Sequence, residues 1–134
     1  MRLGAKIDAA VKEAGNLKLN GNQLADLFTQ IATMGYFMAT EVGSLQRKYL
    51  QAEATRKAHA AKTVIGTMHD GTSNAKAVAQ MEASAEFWEL KNAEIDAEAE
   101  YQAYRLKLDA VKGVLSSIQM RIALLRDERE RVKV

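Results

Sequence analysis

The spacing of apolar residues along the chain predicts an all-helical fold. A short helix is predicted over residues 5–14, because its apolar residues fall on one side. The Asn- and Gly-rich stretch that follows predicts a loop, with Asn22 as the N-cap of the next helix. That long helix is predicted over residues 23–68. Its apolar stripe advances by three or four residues at each step: Leu24, Leu27, Ile31, Met34, Met38, Val42, Leu45, Tyr49 and Ala52.

A polar segment separates this stripe from a second one. Residues 69–74 predict a turn, because Asp-Gly favours turns and Ser73 or Asn74 can cap a following helix. Residues 75–132 are predicted to be helical, either as one helix or as a short helix and a long one that join at Ser84. Their main stripe alternates steps of three and four and has one polar member: Phe87, Leu90, Glu94, Ala97, Tyr101, Tyr104, Leu108, Val111, Leu115, Ile118, Ile122 and Leu125.

Sustained spacing of this kind is typical of coiled coils and long helical bundles. Two long helices with a short connection predict an antiparallel hairpin with coiled-coil-like packing, in a single helical domain over residues 1–134. A flanking stripe that includes Trp88, Ile95, Leu106 and Leu124 needs further neighbours, so we expect a homo-oligomer. The residues predicted to form its interface lie on the C-terminal helix: Tyr104, Leu108, Val111, Val114, Leu115, Ile118, Ile122 and Leu125.

The amino-acid composition adds to these predictions. The 134 residues include no proline, so no proline kinks or stops either long helix. The absence of cysteine excludes disulfides and thiolate chemistry and is compatible with an intracellular protein. We see neither a signal peptide nor an apolar run of the roughly 18 residues that span a membrane, so we expect a cytoplasmic protein.

Charge is unevenly distributed, although the net charge is only +2. Residues 44–81 are basic and residues 82–100 are strongly acidic. Basic groups along a rigid surface attract phosphates, and a ring such as that of Tyr49 can stack on unpaired bases. A solvated charged helix face is the alternative interpretation. The candidate DNA-binding residues are Arg47, Lys48, Arg56, Lys57, His59 and Lys62.

Candidate catalytic chemistry is sparse. No carboxylate or second histidine lies four residues after His59, and the acidic segment 82–100 lacks the histidines of a dimetal bundle site. No glycine-rich phosphate loop occurs. The sequence therefore predicts a protein that is not an enzyme and that uses no metal or cofactor.

Two groups of residues resemble UvsY-like phage recombination mediators. The first is the run Leu50-Gln51-Ala52-Glu53-Ala54-Thr55-Arg56-Lys57-Ala58, which follows Arg47-Lys48 and precedes Asp70-Gly71. The second comprises Asp96 with Tyr101, and Leu115-Ser116-Ser117-Ile118 with Arg121, apart from a two-residue offset between them. The resemblance covers roughly residues 20–125.

The resemblance implies a specific function. Members of that family bind single-stranded DNA and help a RecA-like recombinase replace single-strand-binding protein on it. They assemble into rings through their C-terminal helices. Two positions that are basic in the family hold Ala61 and Thr63 here, with Lys62 between them, so Arg56, Lys57 and Lys62 are the natural substitutes.

Two other functions fit the same sequence. One is a structural or adaptor coiled coil in phage virion assembly or scaffolding, in which the charges only set helix register. The other is a small helical inhibitor of host defence. Salt-dependent binding of single-stranded DNA distinguishes the mediator from both.

Overall fold

A computed structural model describes residues 2–132, and within that range it contains helices and no strand. The four helices are α1 (Leu3–Ala14), α2 (Gly21–His69), α3 (Asn74–Glu82) and α4 (Ala85–Val132). The predicted all-α class is confirmed, and so is the packing of one long helix against another.

The start of α2 differs from the prediction. Asn20, rather than Asn22, is the N-cap: its side-chain oxygen accepts a hydrogen bond from the Gln23 amide at 2.8 Å. The Gln23 side chain accepts in return from the Asn20 amide at 2.9 Å. This reciprocal capping box satisfies two backbone donors, which is why the helix begins at Gly21.

The turn after α2 lies where the polar segment predicted it. Gly71 has a φ of +94°, a left-handed conformation that side chains with a Cβ rarely adopt. Ser73 then caps α3, since its hydroxyl accepts from the Lys76 amide at 3.4 Å. Ser84 separates α3 from α4, and its hydroxyl accepts from the Phe87 amide at 3.2 Å. Residues 74–132 therefore form a short helix and a long one.

The helices form two compact units, and α2 and α4 contribute to both. Unit 1 comprises the described residues of 1–41 and 104–134. In it α1 packs along α4, where Lys107 Nζ lies 2.9 Å from the Asp8 carboxylate. Arg121 ties the end of α1 to α4 by donating to the backbone carbonyls of Ala14 and Asn16. The fully buried side chains of this unit are Ile7, Leu24, Ile31, Met38, Val111 and Ile118.

Unit 2 comprises residues 42–103, that is, the second part of α2, α3 and the first part of α4. The α2 and α4 segments are antiparallel, because Lys48 lies near Glu100 and His59 lies near Glu86. Its buried apolar residues are small or flexible: Ala77, Met81 and Ala97.

Candidate nucleic-acid interface

All six candidate DNA-binding residues lie on the part of α2 that belongs to unit 2. Helical periodicity distributes them around the helix, because successive residues are rotated by about 100°. Arg56 and His59 are half-buried on the side that meets α4. Arg47, Lys48, Lys57 and Lys62 are exposed. The structure therefore does not gather the six into one basic patch.

Arg56 is bound inside unit 2. Its Nε donates to Glu94 Oε2, and its Nη2 lies 3.4 Å from Glu94 Oε1. The side chains are only 19% and 6% exposed, so water screens the pair weakly. The hydrogen bond to Glu94 raises the pKa of Arg56, against a smaller opposing effect of burial. A phosphate could use this guanidinium only in competition with Glu94.

Lys57 and Tyr49 are linked through Glu53. Lys57 Nζ donates to Glu53 Oε1 at 2.7 Å. The hydrogen bond from Lys57 lowers the pKa of Glu53, and a second one from the Tyr49 hydroxyl adds to this effect. Partial burial, followed by the contact with Glu53, raises the pKa of Tyr49. The Tyr49 ring is stacked on Tyr101, with centroids 6.2 Å apart, so this face of the ring is occupied.

Lys48 and His59 have looser acidic neighbours. Lys48 Nζ lies 3.8 Å from Glu100 Oε2, and its side chain is 67% exposed. His59 Nε2 lies 3.8 Å from Glu86 Oε2 and 3.5 Å from the Thr63 hydroxyl. Such exposed, long contacts contribute little free energy, so Lys48 remains able to meet a phosphate.

Arg47 and Lys62 are the basic groups of the candidate set that face solvent without a partner. Both are exposed, and no carboxylate of the described residues lies within 4.0 Å of either. They are separated by 15 residues of α2, about 22 Å at the rise of a helix. With Lys48 they form the accessible basic surface of α2, and we use that name for these three residues.

The residues predicted to form an oligomer interface all belong to unit 1, and most of them are buried or half-buried there. Val111 and Ile118 are buried, and Leu125 alone of the predicted set is exposed. Half-buried are Tyr104, Leu108, Val114, Leu115 and Ile122. The large apolar side chains that α4 exposes in this unit are Leu106, Met120, Leu124, Leu125 and Val132. Two of these, Leu106 and Leu124, belong to the flanking stripe noted in the sequence.

Within the described part of the chain, no group of three or more metal-ligating residues is brought together. No helix there combines the length and apolar character needed to cross a membrane. Glu94 had no assigned partner in the sequence, and the structure supplies two, Arg56 and, at 3.8 Å, Lys91.

Comparison of the chain with protein-family models, with curated proteins and with solved structures finds no match.

Proposed function

We propose that this protein binds single-stranded DNA and acts as a recombination mediator. It would help a RecA-like recombinase to replace single-strand-binding protein on DNA. The resemblance of the α2 motif to UvsY-like mediators suggests this function. The observation that carries it is the accessible basic surface of α2, where exposed cations lie along one rigid helix.

The proposed DNA contact is weaker than the six candidate residues alone would suggest. Arg56 is paired with Glu94, and Lys57 is paired with Glu53. Neither therefore fully replaces the basic side chains that the family has at the positions of Ala61 and Thr63. Each phosphate contact that is neutralised adds to affinity and to its salt dependence. A single copy would therefore bind weakly, and several copies on one strand would bind more tightly.

The proposal includes a homo-oligomer and a protein partner. In unit 1 the exposed apolar residues of α4, among them Leu106, Met120 and Leu124, are available for self-association. In unit 2 the first part of α4 exposes several carboxylates, among them Glu86, Glu98 and Glu100. An acidic helix face fits a basic surface on the recombinase or on the single-strand-binding protein.

Fluorescence anisotropy with a labelled oligonucleotide tests DNA binding. We expect binding at low salt that weakens steeply as salt is raised. Changing Arg47 and Lys62 to Ala should reduce affinity about tenfold or more at low salt and reduce the steepness of log K against log salt by about 1.4. Lys12→Ala with Lys18→Ala, two exposed lysines outside α2, removes the same charge as a control.

The absence of binding at low salt would exclude the mediator and favour the second candidate, a structural or adaptor protein. That candidate is supported by a different observation, the exposed large apolar side chains of unit 2. Ile65 is 68% exposed and Trp88 is 51% exposed, so both side chains are accessible to a protein partner. A small inhibitor of host defence would also lack DNA binding, and the exposed apolar residues would then meet its target.

A further inference from the structure

Each of the two antiparallel helix segments of unit 2 has an exposed apolar stripe that points away from the α2–α4 contact. On α2 the stripe contains Leu50, which is 52% exposed, followed by exposed alanines. On α4 it contains Trp88 and Ile95, which are 51% and 46% exposed. Large apolar side chains aligned along a helix indicate a surface for association.

The two stripes are bordered by charges of opposite sign. Exposed Arg47 and Lys62 lie beside the stripe of α2, and exposed Glu89 and Asp96 lie beside the stripe of α4. None of these four pairs with an opposite charge within 4.0 Å among the described residues. The two faces therefore complement each other in both apolar character and charge.

We propose that unit 2 self-associates head to tail, with the α2 face of one copy on the α4 face of the next. The α2 face is defined by Arg47, Leu50, Ala54, Ala58, Ala61 and Lys62. The α4 face is defined by Trp88, Glu89, Asn92, Ile95, Asp96 and Ala99.

The side-chain sizes of the two faces also match. Within the chain, the pairing of Arg56 with Glu94 sets the antiparallel register of the two helices. Repeating that register between copies brings Leu50 opposite Ala99, and Ala61 opposite Trp88, to within one residue. It also brings Ala54 to within one residue of direct opposition to Ile95. Each large side chain then meets a small one, the arrangement that lets helix surfaces interdigitate.

The contact is heterologous, because the two faces are different. An α2 face against a second α2 face would bring Arg47 and Lys62 near like charges, which disfavours a symmetric dimer. Each copy therefore binds one neighbour through α2 and another through α4, and such an assembly grows until it closes into a ring or continues as an open array.

Cysteine cross-linking tests the contact directly, since the chain has no native cysteine. Ala58 and Asn92 are exposed and lie opposite each other in the repeated register. Full-length chains carrying Ala58→Cys or Asn92→Cys are mixed and oxidised mildly. We expect the disulfide between an Ala58→Cys chain and an Asn92→Cys chain to form at least about tenfold faster than a disulfide between two identical chains. Ala9→Cys, at an exposed position of α1, gives the rate of random collision with Asn92→Cys.

Charge reversal supplies the second test. Glu89→Lys with Asp96→Lys in the Asn92→Cys chain should reduce cross-linking about tenfold, and Arg47→Glu with Lys62→Glu in the Ala58→Cys chain should restore it. Circular dichroism checks that each variant stays helical. The proposal would be overturned if identical chains cross-linked as fast as the mixed chains. It would also be overturned if the mixed chains cross-linked no faster than the Ala9→Cys collision control. The test involves no DNA, so its outcome is independent of the proposed DNA binding.

Discussion

Arg56 of α2 and Glu94 of α4 form an ion pair within unit 2, and Glu94 is 5% exposed. Glu94 is the one polar member of the stripe that runs along α4. A buried carboxylate without a cation is strongly destabilising. Arg56 supplies that cation through its hydrogen bonds, and Lys91 Nζ lies 3.8 Å from the same carboxylate. The pair thereby favours the antiparallel register in which residue 56 lies opposite residue 94.

We predict that Glu94→Gln destabilises the protein. The amide leaves the guanidinium of Arg56 without its carboxylate, and breaking such a pair from one side lowers the free energy of unfolding by about 3 kcal/mol. Urea unfolding followed by circular dichroism measures this. Glu98→Gln, which alters an exposed carboxylate of the same helix, is the matched control and should change stability by less than about 0.5 kcal/mol.

The double substitution Arg56→Met with Glu94→Leu tests whether the loss of stability comes from a charge that is left buried without its partner. Replacing both charges with apolar residues of similar size should recover most of the loss, because neither charge is left buried alone. Should Glu94→Gln prove as stable as the parent protein, the pair would be solvated rather than buried.

The link between Lys57, Glu53 and Tyr49 predicts a pH dependence. Hydrogen bonds from Lys57 and Tyr49 hold the pKa of Glu53 below its ordinary value of 4.5. A carboxylate with a depressed folded pKa contributes stability that is fully present above the unfolded pKa. That stability is lost as the pH falls through the folded pKa, so the effect of Glu53 appears below about pH 4.5.

Urea midpoints at about pH 7 and about pH 3.5 measure this dependence. Glu53→Gln should lower stability at the higher pH and have a smaller effect at the lower one, so its stability falls less on acidification than that of the parent. Glu82→Gln, at an exposed position with no described cation within 4.0 Å, should leave the pH dependence unchanged. Equal acid sensitivity of the Glu53→Gln and parent proteins would contradict the assignment.

The helices could be predicted from the sequence because their apolar residues follow the period of the helix. The predicted N-cap of α2, Asn22, was wrong because Asn20 and Asn22 are equally good caps in isolation. Only the reciprocal hydrogen bonds with Gln23 select Asn20. The sequence left open whether a joint lies at Ser84, and the structure shows one there, where the hydroxyl donates to the Met81 carbonyl at the end of α3 and accepts from the Phe87 amide at the start of α4.

The candidate site was harder to predict than the fold. Arg56 resembles Arg47 and Lys62 in the sequence, because a basic residue on a helix gives no sign of whether it is paired. The signal that could have distinguished it was Glu94, a carboxylate inside an apolar stripe that needs a buried cation. Assigning Arg56 as that cation also required the register of α2 against α4, which the periodicity of either helix alone does not contain.

Gly35 and Gly43 of α2 should respond differently to alanine. A Cβ at Gly35 would lie 3.3 Å from Val111 Cγ1, whereas one at Gly43 would meet nothing within 4 Å. Gly43→Ala should therefore raise the free energy of unfolding by about 1 kcal/mol through helix propensity. Gly35→Ala should raise it less or lower it, because α4 must shift to admit the methyl group. Thermal unfolding of the two variants measures this difference. An equal gain in stability for both would contradict the prediction.

Single-stranded DNA should weaken the head-to-tail contact of unit 2. Arg47 and Lys62 belong both to the accessible basic surface and to the α2 face, so a phosphate and the carboxylates of a second copy compete for them. In a mixture of the Ala58→Cys and Asn92→Cys chains, an oligonucleotide added at low salt should lower the cross-linking rate at the concentrations at which anisotropy reports binding. Raising the salt should restore cross-linking in part, because screening releases DNA more than it weakens the apolar contacts. An unchanged cross-linking rate at saturating DNA would show that DNA and the second copy occupy different surfaces.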